Sequence, residues 1–420
     1  MDPSTNRFTI LFDALKRRLR PILDVVALLI LLFVMSELVS FSALTVWRLI
    51  RPAESVSLDG LKSDPRRAID VYRDAPWSDD YFDEFDASYR TEYAPYTDYR
   101  RVAGFQGRYI NIDERGLRRT VPECSGDDGE GLEIFFFGGS AAWGTGARDE
   151  ATIPSWLARK LCDHGVAVRV TNYGESGYTS TQELVQLGLE LQHGRMPDIV
   201  VFYDGVNDVY SSWQNGIAGL PQNVVNRRTT YAVFEQPVLA NVTRLVSMTQ
   251  TGKVAKTIVK RLLERRHRPE ATAAEEAEEP REMQPGRVQA GLDEQTVAIL
   301  RKNIEIVRAL ERGFSFRTFF YWQPAVYNKN TLSADEREKI AKNADYGQMY
   351  LRVTEMIRLE PEIRDVSGLF DGIDETVFID EFHISEDGNE RVAQVIFEDL
   401  LQEGVLPDPG LDRVEPARGT

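Results

Sequence analysis

Between residues 131 and 215, short and almost wholly apolar runs alternate with longer segments of helical periodicity. The runs LEIFFF, VAVRVTNYG and PDIVVFYDG predict three strands, at residues 132–137, 166–174 and 197–205. The segments between them, TIPSWLARKLCDHG and STQELVQLGLELQHG, predict helices that end at glycines. Near-continuous apolar strands separated by helices indicate a parallel sheet that is covered on both faces.

The alternation resumes after a break. A segment at about residues 264–292 is charged and rich in Ala, Glu and Pro, which predicts a flexible insertion. Beyond it the pattern predicts further elements: a helix at about residues 293–311, a strand in SFRTFFYWQP, a helix at about residues 334–358, and a last helix in EDGNERVAQVIFEDLLQEG. We therefore predict one α/β domain at residues 131–405, followed by a tail at 406–420.

The N-terminal part has a different character. Residues 1–24 are basic, and residues 25–47 are almost wholly apolar and long enough to cross a bilayer. An uncleaved membrane anchor is favoured over a signal peptide because no small-residue cleavage site follows. Basic residues crowd the flank before the span, which predicts a cytoplasmic N-terminus and a main domain that is periplasmic or extracellular. Residues 52–130, the extension, are rich in aromatic side chains and predict ordered structure.

The charge and the cysteine content of the chain argue against two classes of function, nucleic-acid binding and zinc binding through cysteines. The 420 residues include 66 acidic and 50 basic side chains, for a formal net charge of −16. Such a surface repels phosphate backbones, so a nucleic-acid partner is not expected. Cys124 and Cys162 match no zinc pattern, and the sequence leaves open whether they form a disulfide or remain two thiols.

The first candidate catalytic residue, Ser140, follows Gly138 and Gly139 at the end of the first predicted strand. Ligands collect at the carboxyl ends of parallel strands, so this hydroxyl is either a nucleophile or a helix N-cap. A nucleophilic serine needs a base. Of the four histidines, His383 lies just before a helix with Asp380 three residues upstream, where a carboxylate can orient the imidazole.

Acyl transfer also needs hydrogen-bond donors for the developing oxyanion. The ends of the other two strands supply candidates. Gly177 in TNYGESGYTS offers an unobstructed backbone N–H, and Asn207 in YDGVNDVY offers a side-chain amide. Either residue alone also suits an ordinary turn.

Taken together and in this order, four blocks resemble the motif blocks of the SGNH (GDSL-type) hydrolases. They are Gly138-Gly139-Ser140, residues 172–177, Gly205-Val206-Asn207-Asp208 and residues 380–383. The resemblance covers about residues 131–215 and 294–404 and implies a flavodoxin-like three-layer α/β/α sandwich, preceded here by one N-terminal transmembrane helix.

The resemblance also implies roles for individual residues. Ser140 would be the nucleophile and a first oxyanion donor, Gly177 and Asn207 the other donors, His383 the base and Asp380 its orienter. One departure stands out, because Gly139 replaces the aspartate usual in the first block. The rival α/β-hydrolase elbow, Gly-x-Ser-x-Gly, lacks its last glycine here.

The sequence thus predicts a serine-dependent esterase that acts on a small-molecule or carbohydrate O-acyl ester, for example of an envelope component. An O-acyltransferase to a polysaccharide and a catalytically inactive membrane-tethered scaffold are the alternatives. No cofactor is expected, and no metal, because no His/Asp/Glu cluster has ligand spacing.

Overall fold

The structure, a computed structural model, describes residues 19–41 except 22, 29 and 40, and residues 64–124, 131–224, 291–340 and 343–407. The chain divides into two compact units. One comprises residues 1–62 and 227–280, and the other comprises residues 63–226 and 281–420. Nearly all of the predicted insertion at 264–292 lies outside the described residues.

The described helices and strands follow one another in chain order. The helices are α1 (Leu19–Val39), α2 (Asp70–Arg73), α3 (Ser78–Ser88), α4 (Ser140–Trp143), α5 (Ile153–Asp163), α6 (Ser180–Gln192), α7 (Val206–Asn215), α8 (Leu292–Phe314), α9 (Ala334–Ile340), α10 (Ala344–Ile357) and α11 (Glu386–Gln402). The strands are β1 (Thr91–Ala94), β2 (Asp98–Arg101), β3 (Leu132–Gly138), β4 (Val168–Asn172), β5 (Ile199–Asp204), β6 (Arg317–Trp322) and β7 (Ile363–Asp365).

In the first unit, α1 is long and apolar enough to cross a bilayer, with a mean hydropathy of 2.6 over its most apolar window. Length and composition alone do not separate a membrane span from a signal sequence. The helix begins at Leu19, earlier than the predicted span at 25–47, and residues 42–47 of that span lie outside the described residues.

In the second unit, five parallel strands form a sheet in the order β4-β3-β5-β6-β7. This is the flavodoxin-like order, and it places the topological switch point between β3 and β5. The strands are apolar on both sides because each face of the sheet is buried. The stacked rings of Phe137, Phe202 and Phe320 cross the sheet on one face.

Helices cover both faces and complete the predicted three-layer sandwich. Side chains of α5 and α11 pack with Ile134, Phe136 and Val201 on one face. Side chains of α6, α7, α8 and α10 pack with the phenylalanine stack on the other. The two cores bury the apolar residues that alternate along each strand, which is the main source of stability for the sheet.

The extension, predicted at residues 52–130, is described over residues 64–124, where it forms α2, α3 and the β1–β2 hairpin. It has a small core of its own, which packs onto Trp143 and Ile379 of the α/β domain. The indole of Trp143 lies between the buried guanidinium groups of Arg101 and Arg118, at 4.1 and 4.3 Å from the ring centre. The extension is therefore joined to the helix that begins at Ser140.

One predicted helix and three predicted strands need correction, and one strand was not predicted. The helix predicted at 334–358 is two helices, α9 and α10. The predicted strands are longer than β4, β5 and β6 because their flanking Gly, Pro and polar residues leave the ladder. Strand β7 was not predicted, because its three residues are only half-buried and form no apolar run.

Candidate active site

Ser140 lies where β3 passes into α4. Gly139, not Ser140, occupies the N-cap position of α4, and no side chain caps this helix. The helix-cap alternative for Ser140 is therefore wrong. Helix α4 is a single turn. The Ser140 hydroxyl instead faces an imidazole that is 243 residues away in sequence.

The serine, the histidine and the aspartate form one hydrogen-bonded series. Ser140 Oγ lies 2.6 Å from His383 Nε2. On the other side of the ring, His383 Nδ1 lies 2.6 Å from Asp380 Oδ2 and 2.8 Å from Asp380 Oδ1. Asp380 Oδ1 also accepts the backbone N–H groups of Phe382 and His383, at 3.0 and 2.8 Å. The carboxylate thus closes a tight turn and holds the ring that the same turn carries.

The chain that leads to this turn is anchored by a buried ion pair. Glu336 accepts the backbone N–H groups of Val377 and Phe378, both at 3.0 Å. Lys329 Nζ lies 2.7 Å from the same carboxylate, and both side chains are almost fully buried. After His383, Ser385 caps α11 by accepting the N–H of Gly388. Ser385, and not Asp380, is therefore the cap of this helix.

Gly177 and Asn207 lie at the carboxyl ends of β4 and β5, beside Ser140 at the end of β3. Among the described residues, the N–H groups of Ser140 and Gly177 donate no hydrogen bond to another protein group. Asn207 Oδ1 accepts a hydrogen bond from Gln222 Nε2 at 3.1 Å, which leaves its Nδ2 beside Gly139. The three predicted donors meet at the switch point of the sheet.

These groups line one cleft of about 560 Å³. Ser140, Gly177, Asn207 and His383 all contribute to its wall. The extension adds a further part of the wall, and the loop after α7 adds Gln222. The extension residues that line the cleft are Arg66, Phe85, Asp86 and Tyr89.

Arg66 lines the cleft and forms an ion pair with Asp380. Burial alone raises the pKa of Asp380, but the charge and hydrogen bond of His383, together with Arg66, hold that pKa well below its usual range. Burial lowers the pKa of Arg66, and the carboxylates of Asp64 and Asp380 more than offset this effect. Asp380 is therefore ionised and able to stabilise an imidazolium at neutral pH.

Three buried acidic side chains, Asp204, Asp208 and Glu183, interact with one another next to Asn207. Burial and the charge of Asp208 raise the pKa of Asp204 to about 8. Burial raises the pKa of Asp208 to about 6, although the side chain and backbone N–H of Ser180 oppose the shift. Burial and both aspartates raise the pKa of Glu183 well above its usual value. In the described part of the chain no group of His, Cys, Asp or Glu is arranged to hold a metal ion.

Sequence reasoning missed several residues at the site, including Arg66, Gln222 and the buried Glu183. Motif spacing gives no signal for them, because each reaches the site from a distant segment. Two of the other histidines, His164 and His193, lie at helix C-termini. His267 lies outside the described residues.

A hydroxyl, an imidazole and a carboxylate in hydrogen-bonded series form the arrangement that serine-dependent acyl-transfer enzymes use. The profile of the GDSL-like Lipase/Acylhydrolase family matches residues 136–391. The chain therefore belongs to the GDSL-like lipase/acylhydrolase family and is an ester-hydrolysing enzyme.

Solved structures of esterases also resemble the chain at low identity. The lipase/acylhydrolase from Enterococcus faecalis is 16% identical over 66% of this chain and 97% of its own, with a TM-score of 0.34. The acetylxylan esterase Axe2 from Geobacillus stearothermophilus is 13% identical over 66% of this chain and 96% of its own, with a TM-score of 0.31. No curated protein sequence matches the chain significantly. The family assignment rests on the profile match.

Proposed function

We propose that the protein cleaves O-acyl esters through a Ser140–His383–Asp380 triad. The distance of 2.6 Å between Ser140 Oγ and His383 Nε2 carries this proposal. His383 takes the hydroxyl proton as Ser140 Oγ attacks the ester carbonyl carbon. Asp380 holds the ring and stabilises the imidazolium that forms.

The attack produces a tetrahedral intermediate whose oxygen carries the negative charge. The backbone N–H groups of Ser140 and Gly177 and the side-chain amide of Asn207 donate to this oxygen. The alcohol then leaves with the proton from His383, and an acyl group remains on Ser140. Water, deprotonated by His383, attacks the acyl carbonyl, releases the carboxylic acid and restores the hydroxyl.

A covalent probe tests this assignment directly. Full-length protein should react with a fluorophosphonate at Ser140 and hydrolyse a panel of short-chain aryl esters. Ser140→Ala should lose labelling and lower kcat by ~10⁴-fold or more. Ser176 is a matched control because it lines the same cleft without a histidine partner, so Ser176→Ala should still be labelled. A folded Ser140→Ala protein with full turnover would contradict the proposal.

For the substrate we propose an acylated carbohydrate. Three tyrosines of the extension, Tyr89, Tyr93 and Tyr96, are 54%, 68% and 81% exposed. Tyr89 lines the catalytic cleft, and Tyr93 and Tyr96 lie on the β1–β2 hairpin that follows. Exposed rings that combine an apolar face with a polar hydroxyl suit a ligand with the same two characters, such as a sugar ring.

The same tyrosines offer a test of the carbohydrate proposal. Tyr93→Ala and Tyr96→Ala should raise KM for an acetylated polysaccharide several-fold and leave turnover of a small aryl acetate unchanged. Leu359 is 80% exposed and lies before β7, so Leu359→Ala is the matched control. Equal KM values for the polymer in all variants would exclude a role for the hairpin.

Transfer of the acyl group to a sugar hydroxyl is the second candidate function, because the exposed tyrosines that suit a carbohydrate as substrate suit it equally as acyl acceptor. The two outcomes differ in what attacks the acyl-enzyme. Pre-formed acetyl-enzyme should be incubated with and without a deacetylated polysaccharide. Release of acetate alone indicates an esterase, and acetylated polymer indicates a transferase.

For the location we propose that α1 anchors the protein in a membrane, with the N-terminus cytoplasmic and the catalytic domain outside. A disulfide between Cys124 and Cys162 supports this proposal, because disulfides persist in oxidising compartments. Fusions of alkaline phosphatase and of a green fluorescent protein to the C-terminus test it. Active phosphatase with a dark fluorescent fusion is expected, and the reverse pattern would contradict the orientation.

A further inference from the structure

An arginine of the extension contacts the aspartate of the triad. Arg66 Nη1 lies 3.3 Å from Asp380 Oδ2, the oxygen that also lies nearest to His383 Nδ1. The two residues are 314 positions apart in sequence. Arg66 belongs to a single 3₁₀ turn, Pro65–Ala68, and its side chain is 15% exposed.

The guanidinium is held so that only one of its ends is left for Asp380. Asp64 binds the opposite edge as a fork, with Nη2–Oδ2 at 2.6 Å and Nε–Oδ1 at 2.9 Å. Asp64 also caps the turn by accepting the Arg66 backbone N–H at 2.9 Å. The guanidinium carbon lies 4.9 Å from the centre of the Phe85 ring. A planar group fixed on one edge and one face presents Nη1 in one direction.

We propose that Arg66 is a positioning residue of the active site, which holds the Asp380 carboxylate in place and offsets part of its charge. This inference rests on the proposed triad, and it makes the extension part of the active site. Arg66 does not touch the Ser140 hydroxyl. It acts on the reaction through Asp380 and then through the ring of His383.

Electrostatics gives the direction in which Arg66 changes the electric field at the ring of His383. A cation beside Asp380 weakens the electric field by which this carboxylate stabilises an imidazolium. Asp64 opposes this effect because its charge offsets that of Arg66. The other titratable groups that act on Asp380 come from three elements: Tyr72 on α2, Lys339 on α9, and His383 on the same turn.

The pH profile of kcat/KM for a small aryl ester separates this role from a structural one. In Arg66→Met, the acid limb should move to higher pH by roughly half a unit to one unit. Arg66→Lys keeps the charge and should restore most of the wild-type profile. Asp64→Asn keeps the helix cap and should move the acid limb the opposite way, to lower pH.

Arg67 provides the matched control. It lies in the same turn and pairs with Asp79 and Asp83, away from the cleft. Arg67→Met should therefore leave the acid limb in place. Coincident acid limbs in folded Arg66→Met and Arg67→Met would overturn the proposal. If Arg66→Met does not fold, an unchanged acid limb in Asp64→Asn overturns it instead. Full activity in Ser140→Ala would remove the triad itself, so the two failures are distinguishable.

Discussion

The amide of Asn207 occupies the space beside Gly139 that a side chain at residue 139 would need. A Cβ atom on Gly139 would lie 1.8 Å from Asn207 Nδ2, far inside contact distance. Gly139 has an extended backbone, at φ −79° and ψ −151°, so its φ is not one of the positive values that favour glycine. The Asn207 amide therefore leaves no room for the aspartate that is usual at this position of the motif block. The substitution gives no indication of an inactive scaffold.

Restoring a side chain at residue 139 should lower activity. In Gly139→Ala and Gly139→Asp the new Cβ displaces the Asn207 amide, because a flexible side chain moves more readily than the backbone. We expect kcat for a small ester to fall by ~10–10³-fold, up to the loss typical of one oxyanion donor. The melting temperature should change little. The measurement is steady-state kinetics on folded protein.

Gly188 provides the control for this experiment. It lies within α6, and a Cβ there meets no atom within 4 Å. Gly188→Ala should keep full activity and gain up to about 1 kcal/mol of stability from helix propensity. If Gly139→Ala matches Gly188→Ala in kcat, then the Asn207 amide is not an oxyanion donor in the orientation that we describe.

Gln222 should support catalysis only through Asn207. Its Nε2 donates to Asn207 Oδ1 at 3.1 Å, which fixes the amide with Nδ2 toward Gly139. Gln222→Met removes one neutral hydrogen bond, and we expect kcat to fall by roughly 3–10-fold. Asn207→Ala should cost ~10²–10³-fold.

The double variant Asn207→Ala/Gln222→Met decides whether the two residues act as one unit. If Gln222 works by holding Asn207, the double variant should be no slower than Asn207→Ala alone. Multiplied losses would show that Gln222 contacts the substrate independently. Steady-state kinetics with one aryl ester across all four proteins provides the comparison.

The sequence predicted the sheet and much of the site because both depend on local pattern. Strands such as β3 and β5 are apolar on both faces, and Ser140 and Asn207 follow the ends of those strands in the chain. Arg66 and Gln222 escaped prediction because their contacts depend on how distant segments pack, and an arginine in a charged extension has no distinguishing spacing. Asp204 and Glu183 escaped for the same reason, since burial and proximity raise their pKa values and neither is visible in a string of letters.

The disulfide should stabilise the fold without affecting the chemistry. Cys124 and Cys162 are 38 residues apart, and their Cα atoms lie 6.0 Å apart. The bond joins α5 to the segment that pairs with the start of β4, where Cys124 and Val168 exchange two backbone hydrogen bonds of 3.2 Å. Closing a loop of this length contributes about 3–4 kcal/mol in the chain-entropy description.

The double variant Cys124→Ser/Cys162→Ser should therefore unfold at a lower denaturant concentration than the oxidised wild type. Reduced wild-type protein should unfold near the same concentration as the double variant. Below the transition, kcat should be unchanged, because neither cysteine lines the catalytic cleft. Equal unfolding midpoints for the oxidised and reduced wild type would show that the bond does not stabilise the fold.

The buried acids behind Asn207 should make the fold less stable as the pH rises. Burial and the charge of Asp208 raise the pKa of Asp204 to about 8, whereas an unfolded chain releases that proton near pH 3.8. Between these values the folded state binds more protons than the unfolded state, so each pH unit lowers the free energy of unfolding by up to about 1.4 kcal/mol per retained proton. Denaturant unfolding at pH 5 and pH 8 measures the loss.

The variant Asp204→Asn cannot ionise at residue 204, so its free energy of unfolding should differ less between pH 5 and pH 8. Asp163→Asn, at an exposed position, should show the same difference as the wild type. An identical pH dependence in Asp204→Asn and the wild type would show that Asp204 is already ionised in the folded protein.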